Sequence, residues 1–142
     1  MHVFESQGRF VVVLEKGEKV AEKLTQAAEE YNWKGGELHA IGALKDVELG
    51  YYDAEKKEYI RKTFVDEYEL ISMHGNVSLK NGDPYVHIHA SLGDRDFAVF
   101  GGHVFEAVVA VTFEAFVVPF GQMPVREFSP NIGLDLICRL SQ

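Results

Sequence analysis

Tyr85-Val86-His87-Ile88-His89-Ala90-Ser91-Leu92 alternates without a break. Val86, Ile88, Ala90 and Leu92 fall on one side of an extended chain and Tyr85, His87, His89 and Ser91 on the other, because successive strand side chains point to opposite faces. This is the pattern of a strand with one face against a core. Its flanks carry turn chemistry, Asn81-Gly82-Asp83-Pro84 before it and Gly93-Asp94 after it.

Moving outward, most of the chain reads the same way. Arg9–Leu14 is a short β-branched run, and Glu37–Leu44, Asp46–Asp53, Tyr59–Val65, Tyr68–Val77, Phe97–Phe100, Ala107–Val118 and Leu134–Leu140 are further candidate strands. Ala107–Val118 is apolar on both faces, which predicts a central strand or an interface. Only Gly17–Asn32 has a helical period, with Val20, Ala21, Leu24, Ala27, Ala28 and Tyr31 on one face. Gly35-Gly36 is expected to end that helix. One amphipathic helix packed on a mostly antiparallel sheet of about eight strands is an α+β fold. Without repeats or linkers, residues 1–142 read as a single domain.

Composition narrows the function classes. Hydrophobic residues make up 46% of the chain, enough for a core, and the formal net charge is −8. An acidic surface disfavours direct DNA binding, since affinity for phosphates depends on Lys and Arg. The densest basic group, Lys56, Lys57, Arg61 and Lys62, is interleaved with Glu55 and Glu58 and reads as a solvated hairpin or loop. The longest apolar stretch, Ala107–Phe120, is broken by Thr112, Glu114 and Pro119 and is too short for a membrane span. The N-terminus has no basic segment followed by an apolar run, so no secretory signal is expected. A single cysteine, Cys138, forms no internal disulfide and points to a reducing compartment, the cytoplasm.

The two histidines of the alternating strand have Cβ atoms roughly 6.5–7 Å apart at a rise of about 3.3 Å per residue, close enough to reach one ion. If the chain returns as a hairpin, parity decides where His103 goes. With the first strand ending at Leu92, a three-residue loop sets His103 opposite Tyr85 and a five-residue loop opposite His87, both on the histidine face. Even loops set it on the wrong face, and Gly101-Gly102 could add a bulge. Three histidines with an open position suit Zn²⁺, whose fourth ligand is then water or a small molecule. Imidazole also suits Fe, Ni and Cu, so another divalent transition metal fits equally. Asp94, Asp96, Glu106 and, most suggestively, Glu114 are candidate carboxylates to orient the imidazoles. His39 and His74 read as structural, and His2 takes no role. No phosphate loop, nucleophile elbow or dinucleotide fingerprint is present.

The order and spacing of several segments resemble the plants-and-prokaryotes-conserved (PPC) domain in its stand-alone prokaryotic form. The matching residues are Gly8-Arg9, the strand–Gly17–helix opening, Ala40-Ile41-Gly42-Ala43-Leu44, Tyr68-Glu69-Leu70-Ile71-Ser72 with Gly75-Asn76, His87-Ile88-His89, Gly101-Gly102-His103, Thr112-Phe113-Glu114 and Arg126. The resemblance implies an antiparallel α+β fold, a homotrimer, and a histidine metal site carried over to His87, His89 and His103. It also implies an alternative, a DNA-associated or regulatory assembly domain without catalysis, as described for plant relatives. The chain has no Arg-Gly-Arg-Pro hook, and Asp66-Glu67-Tyr68-Glu69-Leu70-Ile71 stands where plant members have Gly-Arg-Phe-Glu-Ile-Leu. His-x-His strands also occur in cupins, but no glutamate follows the pair closely here and His103 follows too soon for the distal cupin motif.

Overall fold

The structure is a computed structural model that describes residues 1–140. Among them, nine strands form one sheet and a single helix packs on it: β1 His2–Ser6, β2 Arg9–Glu15, α1 Val20–Glu30, β3 Gly36–Asp53, β4 Glu58–Phe64, β5 Tyr68–Lys80, β6 Asp83–Gly93, β7 Val99–Pro119, β8 Pro124–Ser129 and β9 Leu134–Leu140. The expected α+β class, with its mostly antiparallel sheet and one main helix, is the one observed.

Four strands close a ring. β3 pairs with β5, β5 with β6, β6 with β7, and β7 returns to β3, all antiparallel. The β1–β2 hairpin extends β7, and β4 extends β3. The β8–β9 hairpin joins β5 through a short parallel pairing, Leu79 to Val125 and Lys80 to Arg126. Val12, Leu14, Leu44, Met73, Val77, Ile88, Leu92, Val109 and Phe113 are fully buried in the core, and Leu24 and Ala27 of α1 close it. The inward set of the opening octapeptide, Val86, Ile88, Ala90 and Leu92, is buried as its alternation predicts.

Two pairs of candidate strands are in fact single long strands. Glu37–Leu44 and Asp46–Asp53 merge into β3, and Phe97–Phe100 and Ala107–Val118 into β7. Both bend rather than end, because the β3–β7 register shifts between Gly42 and Leu44 and again between Lys45 and Leu49, with Asp46 in the left-handed region at φ 48°. Each bulge bends the strand and changes which parity faces inward. That is why β7 buries Ala107 and Val109, then Ala110, then Phe113, Ala115 and Val117. β1 and β8 lacked a periodic signal. β1 is largely exposed and β8 buries consecutive residues.

The helix ends earlier than its glycine pair. Asn32, at φ 50°, is the left-handed residue past the end. The Trp33 N–H donates to Ala28 O and the Asn32 N–H to Glu29 O, at 3.0 and 3.2 Å, satisfying two terminal carbonyls. At the other end Lys19 offers no side-chain cap. Glu106 of β7 supplies it instead, accepting from the backbone N–H groups of Ala21 at 2.8 Å and Glu22 at 3.3 Å.

Candidate metal centre

The turn between β6 and β7 sets the site. β6 runs to Gly93 and β7 begins at Val99, so five residues connect them and Gly93 pairs with Val99. The Asp94 carboxylate holds the turn by accepting from the Asp96 and Ala98 N–H groups, both at 2.9 Å. This shifts the register by two residues from the nearer of the two expected ones. His103 lies opposite His89, not His87 or Tyr85, and stays on the histidine face. Gly101 and Gly102 add no bulge. A Cβ at Gly101 would collide with the Ala90 carbonyl oxygen, so the glycine permits close strand approach.

The three imidazoles converge. Their ring centroids are 5.0 Å (His87–His103), 5.1 Å (His87–His89) and 5.3 Å (His89–His103) apart. One nitrogen from each lies within 4.8 Å of the others, and among the described residues this is the one such group of three metal-ligating side chains. His87 Nε2 and His89 Nε2 are 3.2 Å apart. Two nitrogens bound to one tetrahedral ion at about 2.0–2.1 Å would stand about 3.3 Å apart. His103 is buried and its Nδ1 has no hydrogen-bond partner, a deficit that coordination through that nitrogen would remove. The donor set therefore fits a borderline transition metal such as Zn²⁺.

Local packing shapes the pocket around the cluster. Gly50 of β3 pairs with His103 on one side and Arg61 on the other. A side chain at Gly50 would meet the rings of Phe105 and Tyr59. Without one, these aromatics close on His103, at centroid distances of 4.7 and 5.1 Å. On the other flank Arg126 of β8 reaches into the sheet. Its Nε donates to Ser78 Oγ at 2.7 Å, Nη1 to Asp135 O at 3.0 Å, and Nη2 to Asn76 Oδ1 at 2.9 Å and His87 Nδ1 at 3.2 Å. With His87 Nδ1 accepting, the proton of the neutral ring sits on Nε2 and points to His89.

Two of the four expected carboxylates have other partners. Asp94 holds the turn, and Glu106 caps the helix. Glu114 is exposed on β7, opposite Val13 and Ile41, eleven residues along the strand from His103. It belongs to the outer surface of the sheet; the side chain that hydrogen-bonds His87 Nδ1 is Arg126. His74 lies opposite both His39 and His89, and His39 stacks on Phe116 at 5.3 Å. His2 pairs with Glu15 at the surface. The basic run lies on the exposed β3–β4 hairpin as expected, and Arg61 within it also borders the cavity beside His103. Its alternation with Tyr59 on one strand was the available signal; Arg126 had none beyond the family resemblance.

All three imidazoles are held neutral. Burial pushes His87 down to about 4, helped by the charge of Arg126 and then by His103 and His89. Burial does the same to His103, also to about 4, with His89, Arg61 and Arg126 contributing. Partial desolvation lowers His89. The unfolded chain, whose histidines keep the ordinary value of 6.5, therefore binds more protons than the folded one between about pH 6.5 and 4. Metal-free protein should lose stability as pH falls from 7 to 5, above the range where ordinary carboxylates protonate. Thermal melts of wild type and of His87→Gln/His103→Gln check this. The wild-type melting temperature should drop across that window and the variant's should change less; equal slopes contradict it.

Residues 1–121 match the Plants and Prokaryotes Conserved (PCC) domain, and Arg126 lies beyond that span. Among solved structures, a metal-containing protein of Archaeoglobus fulgidus is 39% identical at a TM-score of 0.87, over 98% of this chain and 100% of that one. A plant- and prokaryote-conserved (PPC) protein of Pyrococcus horikoshii is 33% identical at 0.86, over 99% and 96%. The α-acetolactate decarboxylase of Bacillus subtilis shares the fold at a TM-score of 0.57 and 15% identity, over 91% of this chain and 60% of that one. No curated protein matches the sequence. No helix among the described residues is long and apolar enough to cross a membrane. With the family's domain matched over most of its length, and a ring-closed sheet that carries the histidine triplet, this chain belongs to the Plants and Prokaryotes Conserved domain family.

Proposed function

We propose that this chain binds one divalent transition metal ion, Zn²⁺ foremost, through His87, His89 and His103, and presents it to a small molecule in the adjoining cavity. The observation that carries the reading is the convergence of three neutral imidazoles, one of them buried with an orphan nitrogen. The 39%-identical Archaeoglobus fulgidus protein, described as metal-containing, supports it. A metal held by three histidines supplies a Lewis acid with an open coordination position. The chain's own residues do the rest: metal at His87 Nε2 requires the ring proton on Nδ1, so the Arg126 contact there would give way on loading, while Tyr59 and Phe105 shield His103 from water. The net charge of −8 weighs against direct contact with DNA as the main activity.

We also propose self-association, as a homotrimer. Its support is the outer face of the sheet, where Ile41, Ile71, Val111 and Phe116 are between 45 and 66% exposed. Apolar side chains gathered on one face mark an interaction surface. β7 is central in the sheet, and the proposed assembly would cover the exposed Val111 and Phe116 on its outer side.

Metal analysis by mass spectrometry on tag-free protein tests the first reading. About one equivalent per chain is expected for a single site, lost in His87→Ala/His89→Ala; no metal in the wild type after metal-replete expression contradicts it. Light scattering tests the second. A particle three times the 16.0 kDa chain mass is expected at micromolar concentration, and a monomer removes the proposal.

A further inference from the structure

We propose that the cavity beside the histidine cluster binds a small oxyanion, the carboxylate or phosphate group of a small molecule. This deepens the metal-site reading, because His87 and His103 form part of the cavity wall. The argument for the anion rests on a different set of residues.

The cavity has a volume of about 250 Å³ and is lined by Arg61, Lys80 and Arg126, with Asp135 as the one carboxylate among its lining residues. Three of the chain's 14 Lys and Arg residues thus surround one small space in a protein of net charge −8. Asp135 is engaged by Lys80 at 2.9 Å, and Arg61 is paired at 3.3 Å with Glu48, which is not part of the wall. Among the described residues, Arg126 has no carboxylate in hydrogen-bond contact. It is 9% exposed, and its partners are a hydroxyl, an amide oxygen, a backbone carbonyl and an imidazole, all uncharged. These partners use four of its five N–H donors.

A buried guanidinium without an ion partner is costly, and a bound anion offsets that cost. The N–H that Arg126 keeps free can donate to a carboxylate or phosphate oxygen, and such charge-assisted hydrogen bonds are about twice as strong as neutral ones. Phe105, Leu134 and Leu136, with the Tyr59 and Tyr85 rings, form the apolar part of the wall, which lowers the local dielectric and strengthens the attraction. The volume falls below the roughly 300–1,000 Å³ of sites for drug-sized ligands, which limits the ligand to a small acid or phosphate. The chain's net charge of −8 also disfavours polyanions relative to small anions.

Calorimetric titration of metal-stripped full chain with inorganic phosphate and with malonate, at constant ionic strength, tests this. Saturable one-site binding of at least one probe is expected, and the stronger probe identifies the headgroup. Affinity should fall about tenfold or more in Arg61→Gln and in Arg126→Gln, as loss of a charge-assisted contact implies. It should be unchanged in Lys34→Gln, which lies outside the cavity. Arg126 also ties β8 to β5, so if its variant unfolds, Arg61→Gln alone decides. Absence of binding at millimolar probe, or equal binding in wild type and Arg61→Gln, overturns the proposal. Because the protein is metal-free, these outcomes are separate from failure of the metal reading, which would leave anion binding intact.

Discussion

The pairing of His89 with His103 across β6 and β7 is the constraint on which the site depends. It follows from a five-residue turn, held by the Asp94 carboxylate and by Phe97 in the left-handed region at φ 61°. A slip of one residue would move His103 to the other face of its strand and leave two histidines in place of three. The ring of β3, β5, β6 and β7 prevents that slip, because β7 is paired along the same stretch with β3 through Gly50. The backbone register, more than any side-chain contact, brings the three imidazoles together.

Electrostatics and packing then act on that geometry together. Burial keeps the imidazoles neutral, so each retains one ring lone pair at neutral pH, and in His87 that pair faces Arg126 unless the proton moves from Nε2 to Nδ1. The aromatic rings of Tyr59 and Phe105 fit against His103 because Gly50 has no side chain. Arg126 bridges β8, β5 and the histidine cluster, and it is the link between the histidine site and the cationic cavity. A chain of net charge −8 places a buried guanidinium, with no ion pair among the described residues, where it borders the histidines.

Much of this was legible in the sequence. The alternation of Tyr85–Leu92 specified which residues face the core, and the His-x-His spacing with His103 identified the cluster. What was hidden belonged to longer-range geometry. The register of the hairpin depended on where β6 ended, one residue beyond Leu92, which no local pattern marks. The bends of β3 and β7 arise from bulges against partner strands, so their halves read as separate strands. Glu114 stood out as a lone charge in an apolar strand, yet strand length carries it to the outer surface far from His103. Glu106 and Arg126 act across 85 and 48 residues of sequence respectively, on the helix terminus and on Ser78, and no periodicity reports such contacts.

The most direct test is anomalous diffraction from crystals grown with Zn²⁺. The account predicts one dominant peak within about 2.0–2.1 Å of a nitrogen from each of His87, His89 and His103. An empty histidine cluster in crystals that hold the metal elsewhere would contradict it.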